Sequence, residues 1–440
     1  MTKVKAAVFV PVKGSSERIP SKNLKLLDGK PLFLYTLEKL LPMEAVDVFL
    51  DTESDEVIKL ASYLQGLNIM RRDPELATNS TDGNRLFMNE VNNCNHPIIC
   101  QHLCTSPFIE PDTILAAINN IWTPSGLGRP YDSSVLVKED KLYTWQNGRP
   151  SYDIDNIPNS KDLPTTIVET MGLYAVSRET ALATKRRIGE NPALLVASPL
   201  ESTDVNWPAD FEFAQLIAAG KREKQRQLLQ NLALILSSAL LSDLLDDLGY
   251  KDQVIKGVGC CSVGEAKVLG PAKTIRLKAM NAGDDFKGIY KALDHYETLV
   301  PGDVICIENE MHNYAYFGEL NASMAIRQGV KGVIVGGKTR DGAEVKRTGL
   351  PVFSSGYTCQ DVRGRAVLDT MNQVININGV SISPGDMIFA DSEGIAVIPS
   401  LLTEKVFGLV RKRFKNERGV VSDIAAGATV AELIEERGDF

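Results

Sequence analysis

Over its first 220 or so residues the chain alternates short apolar runs with amphipathic ones. KAAVFVPV, DVFLDT, HPIIC, SSVLV and GLYAV have the length and β-rich composition of strands. PLFLYTLEKLL, DEVIKLASYLQ, PDTILAAINNIW and ADFEFAQLIAAG place their apolar residues at helical spacing. Alternation of this kind predicts an α/β unit with a mostly parallel sheet, covered by helices and binding ligands at the carboxyl ends of its strands. The stretch PSYDIDNIPNSKDLPTT is polar and proline-marked, and reads as an inserted arm. GKREKQRQ, at 220–227, reads as a solvated helix end or linker and marks a domain boundary. After it come one long helix ending at Gly249 and glycine-punctuated strands such as DVICIE, KGVIVGG, PVFSSG and DMIFADSEGIAVIP. A second α/β domain rich in strands is expected, which gives domains 1–225 and 226–440.

A chain of 440 residues is long for a single core, in keeping with two domains. Hydrophobic residues at 44% and charged residues at 24% place it among folded globular proteins. The net charge of −8 excludes general nucleic-acid binding, which needs a basic face, so acidic substrates must be met by a few local cations. The first apolar run contains Pro11 and is soon followed by charge, which suits a strand better than a signal peptide. In LLQNLALILSSALLSDLLDDLGY, residues Asn231, Asp243, Asp246 and Asp247 would be costly in lipid, so no membrane partner is expected. Seven cysteines without regular spacing do not form a disulfide framework, and a cytoplasmic location follows as the expectation.

The first candidate site follows the first strand, in VPVKGSSERIPSKN (10–23). Gly14, Ser15 and Ser16 permit a tight turn whose N–H groups can face an anion, and Lys13, Arg18 and Lys22 surround it with positive charge. No Gly-Lys-Ser/Thr follows at Walker A spacing. On residues alone, a solvated surface turn explains the segment equally well. This segment, with SKNLKLLDGKPL at its end, resembles the N-terminal signature of the acylneuraminate and 3-deoxy-manno-octulosonate cytidylyltransferases. DTESDEVIKLA, RRDPELATNSTDGNRL, QHLCTSPFI, DLPTTIVETMGLYAV and ESTDVNWPADFEFA follow in that family's order, covering nearly all of 5–215. The resemblance implies a Rossmann-like nucleotidyltransferase fold, with CTP and a 2-keto-3-deoxy sugar acid (nonulosonic or octulosonic) as substrates and Mg2+ or Mn2+ as cofactor. It implies that Lys13, Gly14, Ser16, Arg18 and Lys22 hold the triphosphate, Arg18 and Lys22 being catalytic. Asn23, Arg72 and residues 77–81, Thr81 among them, would hold the nucleoside. Gln101 would face the sugar acid, and Asp204 and Asn206 the metal. Glu17 stands where the family usually has a lysine, and Asn206 where it has a second aspartate. Asparagine brings a carbonyl but no charge, leaving Asp210 or a substrate oxygen to compensate.

Cys94, His96, Cys100, His102 and Cys104 crowd together, and on a strand the last three would share a face. No second pair closes a four-ligand shell, so a core strand is the expectation.

The second candidate site lies in FGELNASMAIRQGVKGVIVGGKTRDGAE (317–344). Gly318 and Glu319 open a predicted helix, while Arg340, Asp341 and Glu344 follow a buried strand. A cation beside two carboxylates suits a magnesium-bound 2-oxo acid, although Arg-Asp at a strand end is also an ordinary ion-paired turn. Residues 228–400 resemble the family of the 4-hydroxy-4-methyl-2-oxoglutarate aldolases and the regulator of ribonuclease activity A. LSSALLSDLLDDLGY, PGDVICIE, the block above, PVFSSGYT and SPGDMIFADSEGIAVIP carry the likeness. It implies a swivelling β/β/α-type domain in which Gly318, Glu319 and Arg340 bind substrate, Arg340 acts catalytically, and Asp341 and Glu344 hold metal. Glu319 replaces the common aspartate. Together the two resemblances imply a homo-oligomer: dimer, trimer or hexamer. A pyruvate-type aldolase or decarboxylase activity is then expected in the second half. The alternatives are a purely structural second domain and a scaffold with a degenerate nucleotide site.

Overall fold

Alternate residues of the first strand face two different helical layers, and this fixes the first sheet as a buried one. The computed structural model describes residues 6–78, 80–121, 131–260, 262–413, 429, 430 and 432; it divides into two units, Met1–Ala219 and Gly220–Phe440. The first unit contains β1 (Ala6–Pro11), β2 (Val46–Thr52), β3 (Asn68–Arg71), β4 (Ile98–His102), β5 (Ser133–Asp140), β6 (Thr166–Ser177) and β7 (Pro192–Val196). Their spatial order is β7-β5-β6-β4-β1-β2-β3, and only β6 runs antiparallel. Ala6, Val8 and Val10 pack with α1 (Leu32–Leu40), α2 (Asp55–Ala61) and α4 (Pro111–Ile121). Ala7 and Phe9 pack with α3 (Gly83–Asn92) and α5 (Arg178–Thr184). Parallel pairing sets Pro11 opposite Asp51 and Phe9 opposite Gln101, so the carboxyl ends of β1, β2 and β4 share one edge.

The alternation predicts most of these elements but misses the helices α3 and α5 and the short strands β3 and β7. Helix α3 begins where the Asp82 carboxylate accepts the N–H groups of Asn84 and Arg85 at 2.9 and 3.0 Å. Lys5 and Trp122, at the edges of a predicted strand and helix, lie outside the described residues. The expected arm, 150–166, follows a small hairpin of Trp145–Gln146 with Arg149–Pro150 and is an irregular, mostly exposed stretch leading into β6.

The charge run is neither a linker nor a helix end. It sits within α6 (Pro208–Ala233), which runs through the 219/220 boundary. The single long helix expected after it is instead two, because the chain turns by 99° into α7 (Ser238–Asp247). New acceptors explain the break: Ser237 Oγ takes the Leu240 N–H at 3.1 Å, and the Asp391 carboxylate takes the Ser238 N–H at 3.0 Å. No single helix among the described residues is long and apolar enough to cross a membrane.

The second unit is built on β8 (Val254–Ile255), β9 (Gly259–Cys260), β10 (Val268–Ala279), β11 (Val304–Asn309), β12 (Gly332–Gly336), β13 (Val352–Ser354), β14 (Ala366–Met371), β15 (Met387–Ala390) and β16 (Ile395–Ile398). They form a mixed sheet ordered β8-β16-β15-β10-β11-β12-β13-β9, with β14 also paired to β10. Strands β10 to β13 are parallel, and α8 (Glu319–Arg327) and α9 (Gly342–Thr348) lie in the connections between them. The candidate residues 317–344 therefore occupy the loops around β12.

Candidate functional site

In the first unit, the loop after β1 folds back against the start of α6. Ile19, Leu27 and Leu32 pack with Phe108, Val205, Phe211, Ala214 and Ala218 in one apolar cluster. This packing brings together residues far apart in sequence. Lys22, only 8% exposed, donates from Nζ to the Val205 carbonyl at 2.7 Å. Burial lowers the Lys22 pKa, while Cys104, Asp204 and Asp210 oppose that shift and Arg18 adds to it. Arg18 lies over the Trp207 ring at 5.5 Å. Lys22, Arg18, Asp204 and Asp210 thus share one electrostatic neighbourhood.

Asp204 has two differently occupied oxygens. Oδ2 accepts from Asn206 Nδ2, whereas Oδ1 is buried and meets no hydrogen-bond donor. A buried carboxylate oxygen without a donor suits a hard cation, and magnesium in particular needs only one or two protein carboxylates alongside phosphate oxygens and water. Asp210 has one oxygen committed: Oδ2 accepts the N–H groups of Asn206 and Trp207 at 2.9 and 2.7 Å and so caps α6. Asn206 meets Asp204 through its amide nitrogen rather than through the carbonyl.

Several expected binding groups are placed differently. The Gly14 N–H points at Glu53 Oε1 at 2.7 Å, so it does not face an anion. Arg72 is a buried strut: Nη2 donates to Glu53 at 2.8 Å and to the Val12 carbonyl at 3.0 Å, and Nη1 lies 3.6 Å from Asp51. Asn23 donates to the Lys13 carbonyl at 2.9 Å, which fixes the loop from within. Ser16 is half-buried in the same loop and Glu17 is exposed. Thr81 donates to the Glu75 carbonyl at 3.1 Å on an exposed turn; Asn79, within the expected 77–81 stretch, lies outside the described residues.

Gln101 is 1% exposed and committed at both ends. Its Nε2 donates to Glu90 Oε2 at 2.9 Å, and its Oε1 accepts from Arg187 Nη1 at 3.5 Å. Glu90 belongs to a buried set with Asp51 and Arg72. Burial raises the Glu90 pKa well above the carboxylate range, and the Asp51 charge adds to that; burial raises Asp51 as well, against the pull of Arg72. Nothing in the sequence joins this set, because Asp51, Arg72 and Glu90 lie in three separate segments: near the end of β2, just after β3, and on α3.

Four of the five cysteines and histidines, Cys94, Cys100, His102 and Cys104, are core, whereas His96 is partly exposed and pairs with Asp47 at 2.8 Å. Strand β4 ends at His102, so Cys104 lies beyond it rather than on the same strand face. His102 is buried with Nε2 3.2 Å from the Ser106 carbonyl, and burial takes its pKa down to about 3. The same cause pushes the Cys100 and Cys104 thiols up to about 12.

In the second unit, Arg340 and Asp341 follow β12 at the N-terminus of α8. The Arg340 N–H donates to the Phe317 carbonyl at 3.1 Å, and Asp341 Oδ2 accepts the Glu319 N–H at 3.2 Å. A Cβ at Gly318 would lie 2.5 Å from Asp341 Oδ2, so only glycine allows this approach. Asp341 itself is left-handed, with φ 54°. Arg340 pairs with Asp361 at 2.6 Å, a partner the motif does not contain. Glu344 pairs instead with Arg347 one turn along α9, at 3.2 Å, and no contact joins it to Arg340 or Asp341 among the described residues. Among the described residues two carboxylates therefore stand beside Arg340, Asp341 and Asp361, and the expected Asp341–Glu344 pair is not assembled. Among the described residues no group of three His, Cys, Asp or Glu could hold a metal ion.

The Cytidylyltransferase family model matches residues 7–127, and the Aldolase/RraA family model residues 238–397. The chain is 33% identical over 204 residues to protein DlpA of Legionella pneumophila, covering 46% of this chain and 32% of that one. It is 32% identical over 174 residues to a Halalkalibacterium halodurans protein provisionally named 4-hydroxy-4-methyl-2-oxoglutarate aldolase, covering 39% and 77%. N-acylneuraminate cytidylyltransferase B of Danio rerio is 26% identical over 215 residues, covering 46% and 49%. The chain thus spans less than two thirds of the length of the first and the last of these.

The buried carboxyls generate a signed prediction. A carboxyl whose pKa is raised on folding holds its proton in the folded state, so its contribution to stability is lost as pH rises past the ordinary carboxyl range. Glu90→Gln keeps the shape and removes that loss. In thermal melts, the Tm of the variant relative to the unaltered chain is expected to be higher at about pH 8 than at about pH 5. An equal difference at both values contradicts a protonated Glu90.

Proposed function

The chain joins a cytidylyltransferase-family region to a member of the aldolase/RraA family, and on that premise we propose that its first unit transfers a cytidylyl group from CTP to a 2-keto-3-deoxy sugar acid, releasing pyrophosphate. The observation that carries this reading is the meeting of Lys22 and Arg18 with Asp204 across the packing of the β1 loop on α6. The sugar's anomeric hydroxyl attacks the α-phosphorus, and the bond to the β-phosphate oxygen breaks. Lys22, held by the Val205 carbonyl, and Arg18, steadied on Trp207, would neutralise charge on the departing pyrophosphate. A divalent ion, magnesium or manganese, bound at Asp204 Oδ1 would supply further charge there. Asn206, donating to the other oxygen, orients that carboxylate. Arg72, Asn23 and Gly14 act behind the loop and fix its shape.

For the second unit we infer a lyase acting on a 2-oxo acid, with Arg340 as the substrate cation. Its place against Gly318 at the start of α8, beside Asp341, supports this reading. A 2-keto-3-deoxy acid is the formal aldol product of pyruvate and an aldose, so both units would handle one class of molecule. The exposed Trp145, Ile154, Ile157, Ile167 and Val168 around the arm support self-association of the first unit.

Three outcomes are expected. Pyrophosphate release from CTP with a panel of nonulosonic and octulosonic acids occurs in the unaltered chain; it falls by about 10²- to 10³-fold in Lys22→Ala and Asp204→Ala. No release with any acid favours the scaffold reading. Magnesium-dependent pyruvate formation from 4-hydroxy-4-methyl-2-oxoglutarate or a 2-keto-3-deoxy acid falls by about 10²-fold in Arg340→Ala, and its absence from the unaltered chain leaves the second unit structural. Light scattering of the full chain is expected to report a homo-oligomer; a monomer contradicts the assembly.

A further inference from the structure

Resting on the sugar-acid reading above, we propose that Arg187 is the specificity-determining cation of the first unit and grips the carboxylate of the incoming acid, with Gln101 and Tyr174 as positioning residues behind it. Sheet register supplies the platform. Tyr174 on β6 is the cross-strand partner of Gln101 on β4, and Gln101 in turn neighbours Phe9 of β1, close to the edge from which the Lys22 loop springs. Gln101 is buried with both ends of its amide engaged, so it holds a neighbour rather than meeting a ligand. That neighbour is Arg187.

The Arg187 guanidinium lies over the Tyr174 ring, 3.8 Å from the centroid, and its Nη2 donates to the Tyr174 hydroxyl at 3.0 Å. Its Nη1 reaches Gln101 Oε1 at 3.5 Å, and Met171 Sδ stands 4.0 Å from Nη2. All of these partners are neutral. Among the described residues no carboxylate comes within ion-pair distance, and Glu169 is met only through the Tyr174 hydroxyl that donates to it. A half-buried guanidinium with neutral partners only, in a protein of net charge −8, has its charge available for an external anion. Its planar fork matches a carboxylate better than a lysine would.

The loop that carries Arg187 is pinned before any ligand arrives. The Arg187 N–H donates to Asn84 Oδ1 at 3.1 Å, and the Gly189 N–H to Ser133 Oγ at 2.9 Å. Asp132 Oδ2 takes the N–H groups of Glu190 and Asn191 at 2.7 and 3.0 Å. A Cβ at Gly189 would lie 2.3 Å from Asp132 Oδ1, so the loop closes only with glycine there. A cation fixed in this way loses little side-chain entropy on binding.

The test uses the full chain with CTP and magnesium, and as probes N-acetylneuraminic acid and 3-deoxy-manno-octulosonic acid, each also as its C1 carboxamide. CTP binding by calorimetry shows whether each variant is folded. The unaltered chain is expected to prefer acid over amide. Arg187→Met should raise KM for the acid about 30- to 100-fold with a smaller change in kcat, as for loss of one charge-assisted pair, and abolish the preference for acid. Arg187→Lys should recover part of both. If Arg187→Met binds CTP normally and keeps the acid KM and preference, the proposal is overturned while the transferase reading stands. If Arg187→Met fails to fold, Arg187→Lys decides: a raised KM for the acid alone supports the role, and an unchanged one overturns it. If the unaltered chain binds CTP but turns over no acid, the sugar-acid reading itself falls, and the role of Arg187 with it.

Discussion

The first unit depends on the apolar seam between the loop after β1 and the N-terminal turns of α6. Without Ile19, Leu27 and Leu32 against Val205, Phe211 and Ala214, nothing would bring a lysine at position 22 to an aspartate at position 204. The seam also explains how Lys22 tolerates burial. Its ammonium gives up water but gains the Val205 carbonyl and the nearby Asp204 and Asp210 charges. Apolar packing therefore sets the electrostatics, and the polar residues then divide into those that reach outward and those that brace. Arg72, Asn23 and the Gly14 N–H brace, all turned inward on Glu53, Lys13 and Val12.

The second unit solves a related problem by backbone geometry. Asp341 adopts a left-handed conformation between β12 and α9, and Gly318 leaves room for its carboxylate against the start of α8. Arg340 is thereby held beside the α8 N-terminus, with Asp361 balancing its charge. Both units thus place an arginine or lysine at a strand's carboxyl end, next to an aspartate whose orientation is fixed by neighbouring donors.

Much of this was legible in the sequence because it was local. Alternating apolar runs showed five of the seven strands of the first sheet, and the SKNLKLLDGKPL and R-D segments pointed to loops with chemistry. What stayed hidden depends on distance along the chain. Arg187 sits in TKRRIGEN, which carries none of the motifs above; only the fold lays it on Tyr174 and Gln101. Asp361 lies in a segment with no motif, and Glu90 on α3, a helix of polar overall composition that the apolar runs do not mark. The single long helix expected before Gly249 failed for a similar reason, since the acceptor that stops it, Asp391, is 153 residues from Ser238. Motif position likewise did not show the internal partners of Gln101, Arg72 and Gly14. Each occupies its expected place in the loop or strand, yet spends its hydrogen bonds inside the protein.

The most direct measurement is anomalous diffraction from crystals soaked with CTP and manganese. The account predicts a manganese peak bonded to Asp204 Oδ1, with the β- and γ-phosphates between it and the Lys22 ammonium. A nucleotide bound away from the β1 loop, or a metal with no bond to Asp204, would contradict it.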